Sequence, residues 1–293
     1  MNAIFATCIG YDVVAIRPFI ETCKKFTNAW LYILHAKLSE ATLAYLREHA
    51  VHLVAWPDEP TGAACTIGRH GCYLQLIQNE QLNFSRAMFT DIRDVLFQAD
   101  PFAQPAPYHI KVFEEETLFR DNEINQRWLR RCYSEDLLSR LIDKRVLCAG
   151  ITLASYDGAI GYLSRMASAC QSVPERFFGA DQAVHNYLVY GGEIDGVEIV
   201  PNRRGEVQTM AGQNRFLLDE LGRVLNADYS VCPILHQYDR HALFGKYLLE
   251  NQGFTSIHVD ARKVRQLEGV LNSRSRLTKR WLRLMLMGAS SKR

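Results

Sequence analysis

The feature that most constrains this sequence is a regular alternation of strand-like and helix-like segments near its N-terminus. Three short apolar runs rich in β-forming residues are separated by two stretches whose apolar residues recur at helical intervals. In chain order these are AIFATCIGYD at 3–12, IRPFIETCKKF at 16–26, WLYILHA at 30–36, SEATLAYLREHA at 39–50 and VHLVAW at 51–56. Each helix returns the chain so that the next strand runs the same way. The alternation therefore predicts an α/β domain with a parallel sheet flanked by helices.

The composition excludes several other classes of protein. The chain has 293 residues, of which 48% are hydrophobic and 23% charged, which suits one large globular domain or two small ones. No apolar run approaches the roughly 18 residues of a membrane-spanning helix. The N-terminus has no basic residue before its apolar stretch, so it does not resemble a secretory signal. We therefore expect a cytoplasmic protein.

Two familiar kinds of site are also missing from the sequence. The eight cysteines are scattered without a CxxC pair, which argues against a zinc cluster or a disulfide framework. Neither GxGxxG nor GxxxxGK[ST] follows a strand, so a dinucleotide fingerprint and a P-loop are absent. The function must be sought in other motifs.

The charge is distributed unevenly along the chain. Residues 274–293 carry seven Lys or Arg and no acid, which leaves 27 basic and 32 acidic residues in 1–273. A mildly acidic body argues against nucleic acid as a partner. On a helical wheel the tail places Leu277, Trp281 and Leu284 on one face and its cations on the adjacent flank. It is predicted to be a basic amphipathic helix that binds an anionic membrane surface; a packing helix or a disordered end are the alternatives.

Carboxylates and an imidazole follow two predicted strands. Asp91 and Asp94 come directly after RAMFT at 86–90, and His236 follows the apolar run VCPIL. Ligands bind beyond the carboxyl ends of strands in open α/β sheets, and this residue set suits a divalent cation that contacts phosphate oxygens. The alternatives are a solvated turn in which Arg93 pairs with a neighbouring acid and a histidine satisfied within the fold.

Another acidic position opens a predicted helix at 179–190. Asp181 and Gln182 lie in its first turn. An acid there is stabilised by the helix dipole and needs no substrate to explain it. Alternatively, the position aims a carboxylate and an amide at the hydroxyl groups of a sugar.

Taken together, four motifs resemble those of the nucleotide-sugar-dependent glycosyltransferases of the GT-A fold, above all the bacterial enzymes of surface-polysaccharide synthesis. The motifs are FTDIRDVLFQADPF at 89–102, CAGITLAS at 148–155, GADQAVHN at 179–186 and ILHQYDRH at 234–241. The resemblance covers about residues 1–245, and TDIRDVLFQADPF and HQYDRH are its most specific parts. It implies a Rossmann-type mixed, mainly parallel sheet flanked by helices, to which the chain adds a basic C-terminal helix.

The resemblance also implies a metal site for Mn²⁺ or Mg²⁺. Asp91 matches the first acid of the family's acidic motif, and His236 stands where metal-dependent members supply a late ligand. The usual second acid falls at Arg93, with Asp94 one position further on. Either Asp94 replaces that ligand, or Arg93 neutralises the diphosphate and the enzyme works without metal. The presence of His236 favours the first alternative, a metal-dependent enzyme.

Other residues receive expected roles through the same resemblance. Asp181 is similar to an acid that holds the donor sugar, and Gln182 to an amide beneath the anomeric carbon in retaining members; Asp181 is also the first candidate for a base if the reaction inverts configuration. The expected donor-binding residues are Thr7 and Tyr11 for the base and ribose, Asp91 for the ribose as well as the metal, Arg69 and Arg93 for the diphosphate, and Gly150 for close approach of the backbone to the sugar.

The sequence thus predicts a metal-dependent, hexosyltransferase-like enzyme that moves a sugar from a nucleotide-diphosphate donor to a glycan or lipid-linked acceptor. Its expected location is cytoplasmic, peripheral on the inner face of the membrane. The predicted organisation is a catalytic domain at 1–245, a helical extension at 246–273 and the basic tail at 274–293. One rival is a decayed member that only binds glycan or nucleotide, suggested by Arg93. A nucleotidyltransferase is a second, although TCIGYD at 7–12 lacks the expected Gly-rich basic loop.

Overall fold

The computed structural model describes residues 1–57, 64–104, 108–213 and 215–254. In chain order the strands are β1 (Asn2–Ile9), β2 (Trp30–Ala36), β3 (His52–Ala55), β4 (Arg86–Thr90), β5 (Val95–Phe97), β6 (Ile110–Leu118), β7 (Arg145–Ser155), β8 (Val197–Val200), β9 (Val207–Thr209), β10 (Leu217–Leu218), β11 (Val224–Leu225) and β12 (Ile234–His236). The helices are α1 (Val13–Phe26), α2 (Glu40–Glu48), α3 (Ala64–Asn79), α4 (Glu123–Cys132), α5 (Glu135–Leu141), α6 (Tyr156–Ser172), α7 (Ala180–Tyr190) and α8 (Ala242–Asn251).

The described residues form a central seven-stranded sheet in the order β3-β2-β1-β4-β7-β6-β8. Strand β1 pairs in parallel with both β2 and β4, β2 with β3, and β6 with β8. Strand β7 is antiparallel to its neighbours β4 and β6. The sheet is therefore mixed but mainly parallel and is flanked by helices, which confirms the predicted fold class.

Alternate residues of the central strands supply two apolar layers. In β1, Ala3 and Phe5 join a layer that contains Tyr73 of α3 and Tyr162 of α6, whereas Ile4, Ala6 and Cys8 join a layer that contains residues of α1. This alternation follows from the two-residue period of a strand. Because both faces are covered, β1 is almost continuously apolar, as is usual for a strand at the centre of an α/β sheet.

Helix α1 begins three residues earlier than the sequence interpretation placed it. Asp12 caps it, since its Oδ1 accepts a hydrogen bond of 2.9 Å from the backbone N of Ala15. Pro18 is consequently the sixth helical residue and not part of the first turn. Ile16 and Phe19 still face the sheet and are fully buried, as their spacing indicated.

A second, three-stranded sheet places His236 near the end of β4. It has the order β5-β12-β9, with β12 antiparallel to β5 and parallel to β9. In the register between β12 and β5, His236 is opposite Val95, the residue directly after Asp94. This pairing brings together two motifs that are more than 140 positions apart in the sequence.

Helix α8 packs on this second sheet. Phe244, Leu248 and Leu249 are buried in one cluster with Leu235 of β12. The helix continues through residue 245, where the sequence interpretation ended the catalytic domain, and the proposed division of the chain stays a prediction. Residues 255–273 of the expected extension and the basic tail at 274–293 lie outside the described residues. In the described part of the chain, no helix combines the length and the apolarity needed to cross a membrane.

Candidate functional site

The candidate site is a cavity of about 670 Å³ beyond the ends of β1, β4 and β12. It brings together all the residues that the sequence singled out. These are Thr7, Tyr11, Arg69, Asp91, Arg93, Asp94, Gly150, Asp181, Gln182 and His236. The structure thus shows that these residues lie together, whereas their roles stay predictions.

Asp91, Asp94 and His236 form a compact group of possible metal ligands. One donor atom from each of the three lies within 4.8 Å of the others. His236 Nε2 is 3.6 Å from Asp91 Oδ2 and 3.8 Å from Asp94 Oδ1, distances too long for hydrogen bonds. This buried Nε2 has no hydrogen-bond partner. Two carboxylates and an unpaired imidazole nitrogen fit a divalent cation such as Mn²⁺ or Mg²⁺.

Backbone contacts fix the segments that carry these ligands. The backbone N of Asp91 donates to the carbonyl of Gly150 on β7 at 2.8 Å, and that of Gln237 donates to the carbonyl of Asp94 at 2.7 Å. Residues 91–94 form a turn that leads directly into β5. Both carboxylates point to the same side, since one oxygen of each lies within 4.8 Å of the other and of a ring nitrogen of His236.

The electrostatics of the group favour a positive charge at its centre. Burial would lower the pKa of His236, but Cys148, Asp91 and Asp94 raise it well above its ordinary value. Burial likewise works against ionisation of Asp91, yet Arg69 and His236 hold its pKa below the ordinary value. Burial raises the pKa of Asp94. A divalent cation would relieve the repulsion between the two carboxylates.

Gly150 leaves the space in which this group fits. A Cβ at this position would lie 2.6 Å from Cε1 of His236 and 2.7 Å from Oδ2 of Asp91. Residue 150 therefore has to be glycine if both ligands are to keep their positions. The groups that closely approach Gly150 in this structure are the side chains of Asp91 and His236, and its expected approach to a donor sugar stays a prediction.

Arg69, on α3, links the acidic motif to the start of α7. Its Nη1 lies 2.5 Å from Asp91 Oδ1, and its Nη2 lies 2.9 Å from Asp181 Oδ2 and 3.0 Å from the carbonyl of Ala149. The side chain is buried, and the two carboxylates keep it charged by raising its pKa. The guanidinium thus holds protein carboxylates, an arrangement that favours a positioning role over the direct diphosphate contact expected from the sequence.

Arg93 lies in a second charged group with residues of the HQYDRH motif at 236–241. Its Nη2 is 3.0 Å from Asp239 Oδ2 and 3.9 Å from Asp94 Oδ2. Arg240 Nη2 lies 3.6 Å from the same oxygen of Asp94. The salt bridge within the 91–94 turn therefore exists, as the structural alternative supposed, but Asp94 also belongs to the ligand group. Of the two residues, Asp94 and not Arg93 accompanies Asp91 and His236.

Asp181 and Gln182 lie in the first turn of α7, which begins after the left-handed residue Gly179. Asp181 is buried and is paired with Arg69. The Nε2 of Gln182 donates to Glu115 Oε1 at 3.1 Å and to Asn125 Oδ1 at 2.8 Å. The amide is thereby fixed at the cavity wall between β6 and α4.

Thr7 and Tyr11 line the cavity beside β1. The Thr7 hydroxyl is 2.5 Å from the Tyr73 hydroxyl, so it already has a partner within the protein. Burial raises the pKa of Tyr11, and Asp91 and Asp94 lie close enough to add to the shift against the effect of Arg93. Tyr11 is therefore near the acidic motif and available at the cavity surface.

Sequence reasoning missed several residues of the cavity. Cys148 is buried and places its Sγ 3.2 Å from Nδ1 of His236. Glu115 is a buried carboxylate whose pKa burial raises; an acid pointing inward from an apolar strand is the signal that could have found it. Trp128 and Phe178 also line the cavity. Nothing in their local sequence distinguishes them from ordinary packing residues.

With this geometry established, comparison with known proteins identifies the fold. No family model matches this chain, and no curated protein does. The structure is similar to the apo structure of the bifunctional glycosyltransferase WbbM, with a TM-score of 0.54 at 12% sequence identity. The similarity covers 85% of this chain and 49% of that chain, so this chain spans about half the length of the compared protein.

A second solved structure, a glycosyltransferase involved in the glycosylation of the major capsid of PBCV-1, gives a TM-score of 0.43 at 11% identity. That match covers 80% of this chain and 93% of the other, and its low score adds nothing to the argument. The similarity to WbbM confirms the predicted glycosyltransferase fold. At 12% identity it concerns the fold alone.

Proposed function

We propose that this protein is a glycosyltransferase that moves a sugar from a nucleotide-diphosphate donor to a glycan or lipid-linked acceptor. The observation that carries the proposal is the Asp91, Asp94 and His236 group, which shares a cavity with Asp181 and Gln182. The glycosyltransferase fold supports it. The group of Asp91, Asp94 and His236 suits the diphosphate of a nucleotide sugar, and the first turn of α7 suits its hexose.

Asp91, Asp94 and His236 would hold the cation, and Tyr11 and Thr7 would border the nucleoside. When bound, Mn²⁺ or Mg²⁺ supplies positive charge to the diphosphate as it departs. Burial disfavours ionisation of both Asp91 and Asp181; Arg69 helps to hold the pKa of Asp91 below its ordinary value and only partly offsets the rise in the pKa of Asp181. Its contacts fix both carboxylates, so the ligand group need not reorganise during the reaction. Preorganised charge of this kind favours the transition state over the ground state.

Asp181 and Gln182 would bind the donor sugar at the other side of Arg69. The contacts of Gln182 with Glu115 and Asn125 hold its amide in one orientation, which suits a group beneath the anomeric carbon. Asp181 is buried and paired with Arg69, so binding sugar hydroxyls suits it better than abstracting a proton. The proposal leaves the stereochemical course to a product analysis.

The biological setting we propose is cell-surface polysaccharide synthesis at the inner face of the membrane. The support is the resemblance of the four sequence motifs and the seven cations without an acid in residues 274–293. A peripheral enzyme with a basic tail would meet a lipid-linked acceptor where it resides.

A catalytically decayed binding protein is the second candidate. Arg93 favours it, because an arginine stands where the family's second acid is expected and pairs with Asp239. Such a protein would bind nucleotide sugars or glycans without turnover. The two proposals differ in whether the donor is consumed.

The decisive experiment measures hydrolysis of UDP-, GDP- and dTDP-sugars by the full-length protein, with Mn²⁺, with Mg²⁺ and with chelator. We expect metal-dependent turnover of one donor. Asp91→Asn and His236→Gln should each lower it about 100-fold or more, because each removes a ligand of the cation that stabilises the leaving group. Mn²⁺ titration by calorimetry should show weaker binding by both variants.

The matched control is Asp195→Asn, which changes an exposed carboxylate outside the cavity. It should keep wild-type turnover and wild-type Mn²⁺ affinity. Unaltered metal-dependent rates in both ligand variants would refute the metal assignment. Tight binding of a donor that is never consumed, on any acceptor, would instead establish the binding protein.

A further inference from the structure

An apolar patch borders one side of the cavity. Among the described residues, eight large hydrophobic side chains are exposed, and two of them, Ile124 at 50% and Phe178 at 70%, line this cavity. Trp128 lines it beside them. We call Ile124, Trp128 and Phe178 the apolar rim. Exposed apolar side chains at the mouth of a polar cavity mark a binding surface more often than a packing surface.

The aromatic members of the apolar rim are held in place by the fold. The rings of Trp128 and Phe178 meet edge to face, with centroids 6.0 Å apart and planes at 79°. The Trp128 ring also lies against the backbone of Gly179, so close that a Cβ there would overlap it. Gly179 has a φ of +94°, which favours glycine independently. Little conformational freedom would therefore be lost when a ligand contacts the Trp128 face.

The position of the apolar rim points to the reacting end of the site. Ile124 and Trp128 flank Asn125 on α4, and Asn125 accepts the hydrogen bond from Gln182. Phe178 and Gly179 directly precede the helix turn that carries Asp181. Tyr11, by contrast, interacts with the acidic motif and Arg93. The apolar rim thus adjoins the proposed sugar-transfer residues and not the proposed nucleoside side.

We propose that the apolar rim is the acceptor subsite and that it stacks against the C–H face of a sugar ring. The inference rests on the proposed function and adds to it the chemistry of the acceptor. A pyranose combines an apolar face with a rim of hydroxyls, and aromatic rings bind such faces as they bind other apolar edges. Stacking on Trp128 would orient the acceptor hydroxyl towards the residues around Gln182.

The surroundings favour a sugar over a lipid chain. Glu115, Asn125 and Gln182 lie beside the apolar rim and offer carboxyl and amide groups that match hydroxyls. These groups bond one another through Gln182 Nε2, and a hydrocarbon chain would leave their remaining hydrogen-bonding capacity unused, at a cost. A lipid carrier, where present, would lie beyond the sugar.

The test is a titration of the full-length protein with methyl hexosides and methyl N-acetylhexosaminides, without donor, followed by the indole N–H signals in NMR spectra. Trp128→Phe identifies the Trp128 signal by removing it. We expect at least one glycoside to shift this signal. Phe178→Ala should weaken that binding about 10-fold, since it removes one ring of the subsite. Phe178 is largely exposed, so the variant should fold normally.

Tyr229→Ala is the matched control, because Tyr229 is 74% exposed but does not line the cavity. It should bind the glycoside as wild type does. The proposal is overturned if no glycoside of the panel shifts the Trp128 signal, or if Phe178→Ala binds as tightly as wild type. If a nucleoside diphosphate alone shifts the Trp128 signal equally, the apolar rim binds the base of the nucleotide. If octyl glycosides bind much more tightly than methyl glycosides, the apolar rim binds a lipid chain.

Failure of this subsite and failure of the proposed function give different results. Glycoside binding is measured without donor, so it does not depend on turnover. Donor hydrolysis by the wild-type protein tests the transferase by itself. Hydrolysis without glycoside binding would reject the apolar rim and retain the enzyme.

Discussion

Gly150 shows how much a single position decides in this site. The residue lies in β7, the strand that runs against the rest of the central sheet, and its missing side chain leaves the space that Asp91 and His236 occupy. Asp91 directly follows β4, and His236 is the last residue of β12. A methyl group at residue 150 would have to displace one of them.

At the residue scale we therefore predict that Gly150→Ala abolishes metal-dependent donor turnover, with a loss of about 100-fold or more. The physical reason is the overlap of the new Cβ with Cε1 of His236 at 2.6 Å and with Oδ2 of Asp91 at 2.7 Å. Turnover and Mn²⁺ affinity should fall together. Both are measured on protein whose folding has been checked by circular dichroism.

Gly161→Ala supplies the control, because a Cβ at Gly161 on α6 would meet nothing within 4 Å. It should keep wild-type activity and gain slightly in stability, since alanine favours helix over glycine. A Gly150→Ala protein with normal Mn²⁺ affinity would show that the ligand group is not the metal site.

How far single residues can be predicted depends on where their partners come from. Asp91 and His236 could be predicted to lie at strand ends, since Asp91 directly follows β4 and His236 is the last residue of β12. The pairing of β12 with β5, which brings them together, could not be predicted. The bridge from Arg69 to Asp91 and Asp181 could not, since it depends on how α3 docks against the sheet. The contact of Cys148 with His236 could not be predicted either, because a cysteine in an apolar strand has no local signature of such a contact.

At the scale of elements, the contact between α6 and α7 contains a buried polar group outside the cavity. The hydroxyl of Tyr162 is hydrogen-bonded to Nδ1 of His185 at 2.9 Å and accepts a hydrogen bond of 3.3 Å from the hydroxyl of Thr152. His185 is completely buried, and its Nε2 has no hydrogen-bond partner. Burial, with a smaller contribution from Arg69, lowers the pKa of His185 to about 3.

The free energy of unfolding should therefore fall in acid. Unfolded histidine has a pKa of about 6.5, so the unfolded chain binds this proton first as the pH falls. The contribution of His185 is fully present above pH 6.5 and is lost as the pH falls from there towards 3. Between pH 7.5 and 5 the expected loss is about 2 kcal/mol. His185→Gln should remove this part of the pH dependence, as measured by urea unfolding at both pH values.

His52→Gln is the matched control, because His52 is exposed on β3. It should leave the difference in stability between the two pH values as in wild type. An unchanged difference in His185→Gln would mean that another group causes the acid sensitivity.

The elements themselves were largely predictable from the sequence. Long periodic segments such as α1 and the apolar strands β1 and β2 are where predicted, because packing on a sheet agrees with their local pattern. The short strands β5 and β9 were missed. Three residues carry too little periodicity to be recognised, and these strands exist because β12 pairs with both.

At the scale of the whole molecule, the basic tail gives the proposed membrane association its test. Deleting residues 274–293 removes seven cations and no acid. Each cation near an anionic surface contributes about 1 kcal/mol. The full chain should bind vesicles containing phosphatidylserine, and the truncated chain should bind them about 100-fold less tightly at low ionic strength. Sedimentation of the protein with the vesicles measures both.

Two further measurements separate the contribution of the tail's positive charge to vesicle binding from that of its apolar residues. Phosphatidylcholine vesicles should bind both forms weakly. A full-length variant with Arg276, Lys279, Arg280 and Arg283 changed to Gln should behave like the truncated chain. Donor hydrolysis should persist after truncation, since the cavity is built from residues before 241. Equal binding of anionic vesicles with and without the tail would contradict the proposal.

The Arg69 bridge has a consequence for the affinities of the two proposed ligands. One guanidinium balances the negative charge of Asp91, in the proposed metal-binding group, and of Asp181, on the proposed sugar side. A cation bound to Asp91 would weaken the pairing of this carboxylate with Arg69 and leave more of the arginine's charge to Asp181. Under the proposed function the occupancies of the two halves would therefore be thermodynamically linked, and each ligand would alter the affinity of the other by the same factor.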